Sequence, residues 1–447
     1  MPDGDLIVAL ASAPGIAGVA VVRMSGEGVL EAAQRVTGER TLPHATLTYC
    51  TLRDPRTGSI IDLGYVVRFQ RPRSYTGEDV VEFQVHGSPA GVDRLVDALY
   101  FVGARAARPG EFTMRALLAG KLDLAQAEAL LDVLHAGGAD QHAAALQHLD
   151  GATSRAIADL RAPLLRATSD IEARLDFAAE PHLAVFDPHP LRDRLVDLAQ
   201  RMRALAATAN AGRIRVRGAR VVLAGAPNAG KSTLLNALCG ADRAIVDARP
   251  GTTRDTIEVR TAPHGTAITW VDTAGLRATS DPVEAEGTRR ATAELGGADI
   301  VVWVVDQAVP PDPMPPTRVA VVAVRNKADL PVHPAVACHP LLASASQVCA
   351  ARGEGVSELR DRLVDHVRAL ASVGGDAVAI CRQRHADHLV RAAAALDRAV
   401  ILINIDPALE LVAADLRDAL DALDELTGPL TPDDVLAKVF SEFCIGK

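Results

Sequence analysis

At about 150 residues per domain, the 447-residue length predicts roughly three domains, and an apolar content of 49% is enough for several hydrophobic cores. This composition excludes an intrinsically disordered chain, and an aromatic content of 3% argues against a protein that binds nucleic acid mainly by base stacking. The formal net charge of −9 excludes binding of polyanions through the overall charge of the chain, so any contact with nucleic acid has to be local.

Four segments of different patterning follow one another along the chain. Residues 1–118 combine short β-rich runs with Gly and Pro turns and one helical stretch at 91–101, which predicts an α+β domain. Residues 119–213 carry Leu and Ala at helical spacing, which predicts a helical domain. Residues 214–371 alternate strand and helix signals, as in a doubly wound parallel sheet, and residues 372–447 return to helical periodicity.

The two helical tracts flank the α/β segment, and residues 213–218 are predicted to form a basic linker into it. This order favours an α/β domain inserted into a helical domain, which is feasible when the ends of the insert lie close together. Four separate modules in a row are the alternative.

The six cysteines lie far apart and form no Cys-x-x-Cys pair and no Cys/His cluster with metal-ligand spacing. We therefore interpret them as reduced thiols of a cytoplasmic protein. The acidic start of the chain lacks the basic residues of a signal peptide, and no stretch approaches the ~18 consecutive apolar residues of a membrane helix. The basic residues include only five lysines against 42 arginines, so each lysine is expected to be needed for its compact ammonium group.

A phosphate-binding loop is predicted at residues 225–232 (GAPNAGKS), between a strand at 220–224 and a helix at 233–239. Its glycines let backbone N–H groups surround phosphates, Lys231 reaches the β and γ oxygens, and the Ser232 hydroxyl binds magnesium. A chance glycine-rich turn is the alternative, but the strand–loop–helix context favours the phosphate site.

Two further motifs follow predicted strands. Residues 272–275 (DTAG) place a carboxylate near the metal and a glycine N–H near the γ-phosphate. Residues 326–329 (NKAD) end in Asp329, whose carboxylate can accept hydrogen bonds from guanine N1–H and its exocyclic amine, so the motif selects GTP over ATP. The three motifs in order predict a GTPase.

The residue after the DTAG motif is Leu276, which cannot orient water as the glutamine of Ras-like enzymes does. Another group has to do so, and Asp281, Glu284 and Glu286 are the candidates, although a solvated helix start explains them equally well. The polar loop at 247–255 is the predicted first switch, in which Thr253 supplies a second hydroxyl to magnesium.

Four sequence blocks resemble the bacterial and organellar tRNA-modification GTPases of the MnmE type. They are residues 14–26 (PGIAGVAVVRMSG), 74–83 (SYTGEDVVEF), 108–113 with 120–124 (RPGEFT and GKLDL), and 443–447 (FCIGK). The resemblance implies an N-terminal α+β domain that dimerises and binds folate, a helical domain, and an inserted α/β P-loop GTPase domain.

The resemblance also implies the chemistry. Arg23, Glu82, Lys121 and Lys447 match the folate contacts of the family, and the donor is expected to be 5-formyltetrahydrofolate or methylenetetrahydrofolate. Cys444 matches a thiol needed for the modification, and Glu284 matches the residue that orients the attacking water. A homodimer and an FAD-dependent partner subunit are expected to form a heterotetramer that acts on the wobble uridine of tRNA.

Potassium takes the place of an arginine finger in this family, with magnesium held by Ser232 and Thr253. The expected potassium ligands are Asn228, Asp247, Arg249 and Thr252. The full predicted nucleotide set is Asn228, Ala229, Gly230, Lys231, Ser232, Thr233, Asp247, Ala248, Arg249, Pro250, Gly251, Thr252, Thr253, Asp272, Thr273, Ala274, Gly275, Asn326, Lys327, Ala328, Asp329, Cys349, Ala350 and Ala351.

The chain departs from the family pattern at three places. They are Asp247-Ala248 in the first switch, where the family has Thr-Asp, Cys349-Ala350-Ala351, where it has Ser-Ala-Lys or Ser-Ala-Arg, and Ala119 before Gly120, where it has asparagine. Two rival functions stay open. One is an RNA-binding switch in ribosome assembly, which predicts a basic module after the GTPase domain. The other is a folate-using metabolic enzyme regulated by its GTPase domain.

Overall fold

The computed structural model describes residues 4–176, 187–240, 257–272, 295–372, 379–405, 408–428, 439–440, 443 and 446. The chain divides into two compact units, residues 1–131 with 420–447 and residues 132–419. Among the described helices, none is both long enough and apolar enough to cross a membrane.

The first unit is a sheet covered by helices. Its elements up to residue 118 are β1 (Ile7–Leu10), β2 (Ala17–Ser25), α1 (Val29–Thr37), β3 (Thr48–Arg53), β4 (Ile60–Phe69), β5 (Val80–Gly87), α2 (Pro89–Phe101), β6 (Arg105–Ala106) and α3 (Glu111–Leu118). The strands lie in the order β3-β4-β5-β2-β1-β6, and β1 pairs with β6 in parallel, whereas the other neighbours are antiparallel. The predicted α+β class of this segment is confirmed.

Side chains along β2 and β5 alternate between the hydrophobic core and the opposite face of the sheet. Val22, Met24 and Phe83 are buried in the core that α1 and α2 cover. Because successive side chains of a strand point to opposite faces, Arg23 and Glu82 point to the other face of the sheet. The strand register places these two residues directly opposite each other.

An ionic cluster fixes the start of α3. The carboxylate of Glu111, which is only 2% exposed, accepts hydrogen bonds from Arg105 at 2.5 and 2.9 Å, from Arg115 at 3.2 Å and from the Arg108 backbone N–H at 2.8 Å. Burial alone would raise the pKa of Glu111, but these donors outweigh burial and lower it below its ordinary value. The cluster thereby holds the next residue, Phe112, in its buried place.

The rest of the chain supplies helices and a second sheet. These elements are α4 (Leu124–His135), α5 (Ala139–Leu149), α6 (Ala152–Asp176), α7 (His189–Ala207), α8 (Ala209–Arg217), β7 (Ala219–Ala224), α9 (Lys231–Cys239), β8 (Ile257–Thr261), β9 (Ile268–Asp272), β10 (Ile300–Asp306), β11 (Ala320–Asn326), α10 (Pro334–Ala337), α11 (Pro340–Ala343), β12 (Ser346–Gln347), α12 (Val356–Ala371), α13 (Gln383–Ile405) and α14 (Leu409–Thr427). The long helices α7 and α13 pack along each other.

The second sheet has the order β12-β11-β10-β7-β9-β8. Its strands pair in parallel except β8, which is antiparallel to β9. The predicted parallel sheet therefore carries one antiparallel strand at its edge. A short connection through Pro263–Gly265 joins β8 to β9, and a connection of this length can only return the chain antiparallel.

The predicted basic linker at 213–218 is also wrong, because its residues up to Arg217 belong to helix α8. Ile214 is buried in the core of the second sheet, whereas Val216 packs with Ala144 and Ala145 of α5. A helix buried on two sides shows no single apolar stripe, so its sequence does not display ordinary helical periodicity.

Charges and close backbone packing hold α8 at both ends. Arg213 pairs with Asp299 just before β10, and the buried Asp132 accepts hydrogen bonds from Arg217 at 3.3 Å and Arg382 at 2.8 Å. A side chain at Gly212 would overlap the carbonyl oxygen of Ile380. The segment that follows α12 therefore returns directly beside α8.

Lowering the pH from 6.5 towards 4 is expected to destabilise the second unit through His148. Burial first, and the charges of His385 and Arg215 second, lower the pKa of His148 from 6.5 to about 4. The unfolded chain therefore binds a proton in this range that the folded chain does not, and stability falls as the pH falls. Denaturant unfolding at a series of pH values measures the effect. The substitution His148→Gln is expected to flatten the profile, and His142→Gln on the exposed side of α5 is the matched control.

Candidate functional site

The loop between β7 and α9 is shaped by glycines. Gly225 has φ +147° and Gly230 has φ +87°, and a side chain at either position would collide with Val304 or Asn326, respectively. The backbone of residues 225–230 therefore approaches its neighbours closely, and α9 begins at Lys231 directly behind it. The loop thus leads into a helix N-terminus, which attracts anions.

Lys231 lies at the end of this loop. It is 6% exposed, and its Nζ donates hydrogen bonds to the carbonyl oxygens of Gly225 at 2.9 Å and Ala226 at 2.8 Å. The loop carbonyls thereby hold a positive charge in place next to the helix N-terminus. This arrangement suits the phosphates of a nucleotide.

Two oxygen ligands of the kind that magnesium prefers lie beside Lys231. The Ser232 hydroxyl donates to Asp272 Oδ2 at 2.5 Å, and Asp272 ends β9 with no exposed surface. A hydroxyl and a carboxylate in contact fit a hard divalent cation, which binds through one or two protein oxygens together with substrate phosphates. The residues present therefore fit magnesium.

Asn326 links the loop at 225–230 to the segment at 349–351. Its side-chain Nδ2 donates to the Ala229 carbonyl at 2.8 Å, and its Oδ1 accepts from the Ala350 N–H at 3.1 Å. Lys327 follows with a left-handed φ of 61° and pairs with Asp306 at 2.6 Å. The NKAD segment and the segment at 349–351, which both belong to the predicted nucleotide set, therefore meet.

Asp329 is oriented by two side chains. The Cys349 thiol donates to its Oδ1 at 3.3 Å, and Arg352 lies 3.5 Å from its Oδ2. The thiol hydrogen bond is the largest cause that lowers the pKa of Asp329 below its ordinary value. A charged carboxylate at this position can accept two hydrogen bonds from a base that presents two N–H groups side by side.

A second group of polar residues lies on the sheet of the first unit. Arg23 Nε donates to Glu82 Oε1 at 2.7 Å, and both side chains are about 15% exposed. The Arg23 guanidinium lies 5.2 Å from the centroid of the Tyr75 ring and 5.7 Å from that of Phe112. Two aromatic faces and one carboxylate thus fix its position.

A cavity of about 270 Å³ opens next to this pair. It is lined by Phe69, Arg73, Ser74, Tyr75, Val80 and Glu82. Lys121 approaches from the end of α3, since the Cβ position of Gly77 lies 3.7 Å from Lys121 Cε. Three of the four predicted folate contacts therefore lie at one short segment, residues 74–82: Glu82 belongs to it, and Arg23 and Lys121 lie beside it.

The other predicted site residues lie outside the described part of the chain. They are Asp247, Ala248, Arg249, Pro250, Gly251, Thr252, Thr253, Thr273, Ala274, Gly275, Glu284, Cys444 and Lys447.

Comparison with known proteins decides the family. A family model for the GTP-binding protein TrmE N-terminus matches residues 6–121, and one for the MnmE helical domain matches residues 124–444. The tRNA modification GTPase MnmE of Thermus thermophilus is 42% identical over 99% of both chains. The chain belongs to the MnmE family of tRNA modification GTPases.

Other known proteins are similar to this chain as well. The MnmE protein of Xanthomonas campestris pv. campestris strain B100 is 42% identical over 99% of this chain and 98% of its own. Among solved structures, Era in complex with MgGDPNP and nucleotides 1506–1542 of 16S ribosomal RNA is 27% identical over 33% of this chain and 56% of its own, with a TM-score of 0.27.

Membership of the MnmE family confirms the predicted resemblance and the multidomain architecture with a P-loop GTPase fold. Sequence reasoning missed the side chains that surround the predicted contacts: Tyr75 and Phe112 beside Arg23, Asp306 beside Lys327, and Arg352 beside Asp329. One signal was available. Only 4 tyrosines and 8 phenylalanines occur in the chain, and Tyr75 and Phe112 both fall within the MnmE-type blocks.

Proposed function

We propose that GTP hydrolysis by this tRNA modification GTPase depends on potassium and that, with an FAD-dependent partner, the protein adds an aminomethyl-type group at C5 of the tRNA wobble uridine. In its full form the group is carboxymethylaminomethyl. The observation that carries the proposal is the assembled phosphate loop, Lys231 with Ser232 and Asp272, in a chain 42% identical to a tRNA modification GTPase over 99% of its length.

Lys231 and the loop backbone support the hydrolytic step. The ammonium and the N–H groups of the helix start would stabilise the negative charge that develops on the β and γ oxygens as the terminal phosphoryl group leaves. Ser232 and Asp272 would hold magnesium, which neutralises phosphate charge when bound. Both contributions are electrostatic and depend on groups already in position.

Potassium dependence rests on Asn228 and the first switch. Asn228 is exposed in the phosphate loop with a left-handed φ of 64°, a conformation that asparagine tolerates better than most residues. Its amide oxygen suits a monovalent cation next to the phosphates. The switch loop would complete the potassium site with Asp247, Arg249 and Thr252. Glu284 would orient the attacking water, because Leu276 stands where Ras-like enzymes have a glutamine.

The cavity beside Arg23 and Glu82 supports folate binding. A reduced pterin presents adjacent N–H groups, and the Glu82 carboxylate can accept hydrogen bonds from them. Arg23 fixes the geometry of that carboxylate. Lys121 and the terminal Lys447 would add positive charge for the acidic end of the ligand. In this proposal 5-formyltetrahydrofolate or methylenetetrahydrofolate donates the carbon.

The modification requires more than one chain. We propose a homodimer through the N-terminal domain that binds the FAD-dependent subunit as a heterotetramer, with Cys444 as the thiol that takes part in the transfer. GTP hydrolysis would drive a conformational change rather than the carbon transfer. Contact with tRNA would be local, since the chain carries a net charge of −9.

Mass spectrometry of tRNA nucleosides from cells of the source organism tests the proposal. The C5-aminomethyl-type wobble uridines are expected to disappear on gene deletion and in the Cys444→Ser and Glu284→Ala alleles. The matched controls are Cys338→Ser, which changes an exposed cysteine, and Glu358→Ala, which changes an exposed residue of α12. Both controls are expected to retain the nucleosides.

Survival of the nucleosides in the deletion strain would overturn the modification function and direct attention to ribosome assembly. If the modified nucleosides disappear in the deletion strain but persist in the Cys444→Ser allele, the thiol takes no part in the modification. The other parts of the proposed function would then stand.

A further inference from the structure

The cavity beside Glu82 is lined by side chains of opposite charge. The Glu82 carboxylate, which is paired with Arg23, is one of them. The other is Arg73, an exposed arginine whose backbone N–H donates to the Gln70 carbonyl at 2.9 Å. Within the described ranges, its guanidinium has no hydrogen-bond or ion-pair partner.

The acids nearest to Arg73 in the sequence are already paired. Asp79 lies 3.2 Å from Arg68, and Glu78 lies 3.0 Å from Arg115. These carboxylates are therefore held elsewhere, and the positive charge of Arg73 is not neutralised by them. An anionic group of a ligand would meet it without first breaking an ion pair.

The size of the cavity decides how much of a ligand it covers. Its volume of about 270 Å³ lies just below the ~300–1,000 Å³ typical of pockets that enclose a whole drug-sized molecule. The walls contributed by Phe69, Tyr75 and Val80 suit a flat bicyclic ring. A folate whose pterin occupies this space has to leave its aminobenzoyl-glutamate end outside, past the rim.

We propose that Arg73 binds the γ-glutamyl carboxylates of the tail and that the site prefers poly-γ-glutamylated reduced folates to the monoglutamate. The inference rests on the proposed folate function of this cavity. Each added γ-glutamyl unit carries another carboxylate, and a guanidinium pairs with carboxylates through two parallel hydrogen bonds. Glu82 therefore recognises the ring and Arg73 the tail.

Equilibrium binding to the full-length protein tests the assignment. The three probes are 5-formyltetrahydrofolate, its triglutamate, and a tetrahydropterin without the aminobenzoyl-glutamate. The triglutamate is expected to bind about three- to fivefold tighter than the monoglutamate, the effect of one exposed ion pair. Higher potassium chloride concentrations are expected to reduce this advantage, because salt screens exposed charges.

Arg73→Gln is expected to remove the advantage of the triglutamate and to leave the affinity for the tetrahydropterin unchanged. The matched control is Arg40→Gln, another exposed arginine of the same unit that does not line the cavity. The control is expected to keep the preference of the native protein.

The outcomes separate the two proposals. Equal binding of the monoglutamate and the triglutamate by the native protein would overturn the role of Arg73 while leaving folate binding intact. The same follows if Arg73→Gln weakens the tailless tetrahydropterin as much as the triglutamate. No binding of any of the three probes would overturn the folate function itself.

Discussion

Replacing Lys231 with alanine is expected to lower kcat/KM for GTP hydrolysis by about 10²- to 10³-fold, the usual cost of removing one preorganised electrostatic contact from a transition state. The ammonium of Lys231 is held by the carbonyls of Gly225 and Ala226 and is almost fully buried, so water cannot replace its charge without rearranging the loop. Steady-state release of phosphate measures the loss, and a fall in kcat beyond the change in KM identifies a contact made in the transition state.

Lys231→Arg tests whether charge alone suffices. A guanidinium is larger and planar and donates in a fixed fork, so it does not fit between the two carbonyls that hold the ammonium. The expected activity is close to that of the alanine variant. Arg362→Gln on the exposed side of α12 is the control and is expected to keep native kinetics. Native kinetics in Lys231→Ala would show that the loop does not bind the reacting phosphates.

Asp329→Asn is expected to weaken GTP binding by about 10²- to 10³-fold and to raise affinity for xanthosine triphosphate. In the proposed site the carboxylate would accept two hydrogen bonds from guanine, whereas the amide would supply one acceptor and one donor, which match the N1–H and the 2-oxo group of xanthine. The Cys349 thiol can still donate to the remaining side-chain oxygen, so the local geometry is retained. Competition of the two nucleotides for the native protein and the variant measures the change.

Asp361→Asn is the control for this exchange. Asp361 lies on the exposed side of α12 and pairs with His264, and its loss is expected to change neither affinity. If Asp329→Asn weakened both nucleotides equally, Asp329 would be a structural residue and the base would be recognised elsewhere.

The strand, loop and helix of the candidate nucleotide site were predictable because their signal is local. A strand, a glycine-rich turn and a helix follow one another within 219–239, and their residues read the same in the sequence as in the fold. The contact of Cys349 with Asp329 has an equally simple origin. Each residue follows a strand, and the two strands end at the same edge of a parallel sheet.

Features that depend on distant segments were not predictable in the same way. The helical state of α8 follows from burial of Ile214 and Val216 in two different cores, and neither core can be located from the nine residues of the helix. The aromatic setting of Arg23 joins residues from three separate segments of the chain, so no spacing rule in one sequence brings Tyr75 and Phe112 to it. The predicted folate contacts rest on resemblance to a family rather than on physical reasoning.

The close approach of Gly212 to the Ile380 backbone has a mechanical consequence. The chain enters the second sheet through α8 and comes back beside the same helix, with the Ile380 N–H donating to the Thr208 hydroxyl at 3.1 Å. Two adjacent attachments define an axis, whereas a single flexible tether would allow the GTPase domain to swivel freely. A force that arises at the nucleotide would therefore bend the helices about this axis. A bulkier residue at position 212 would weaken one of the two attachments that define it.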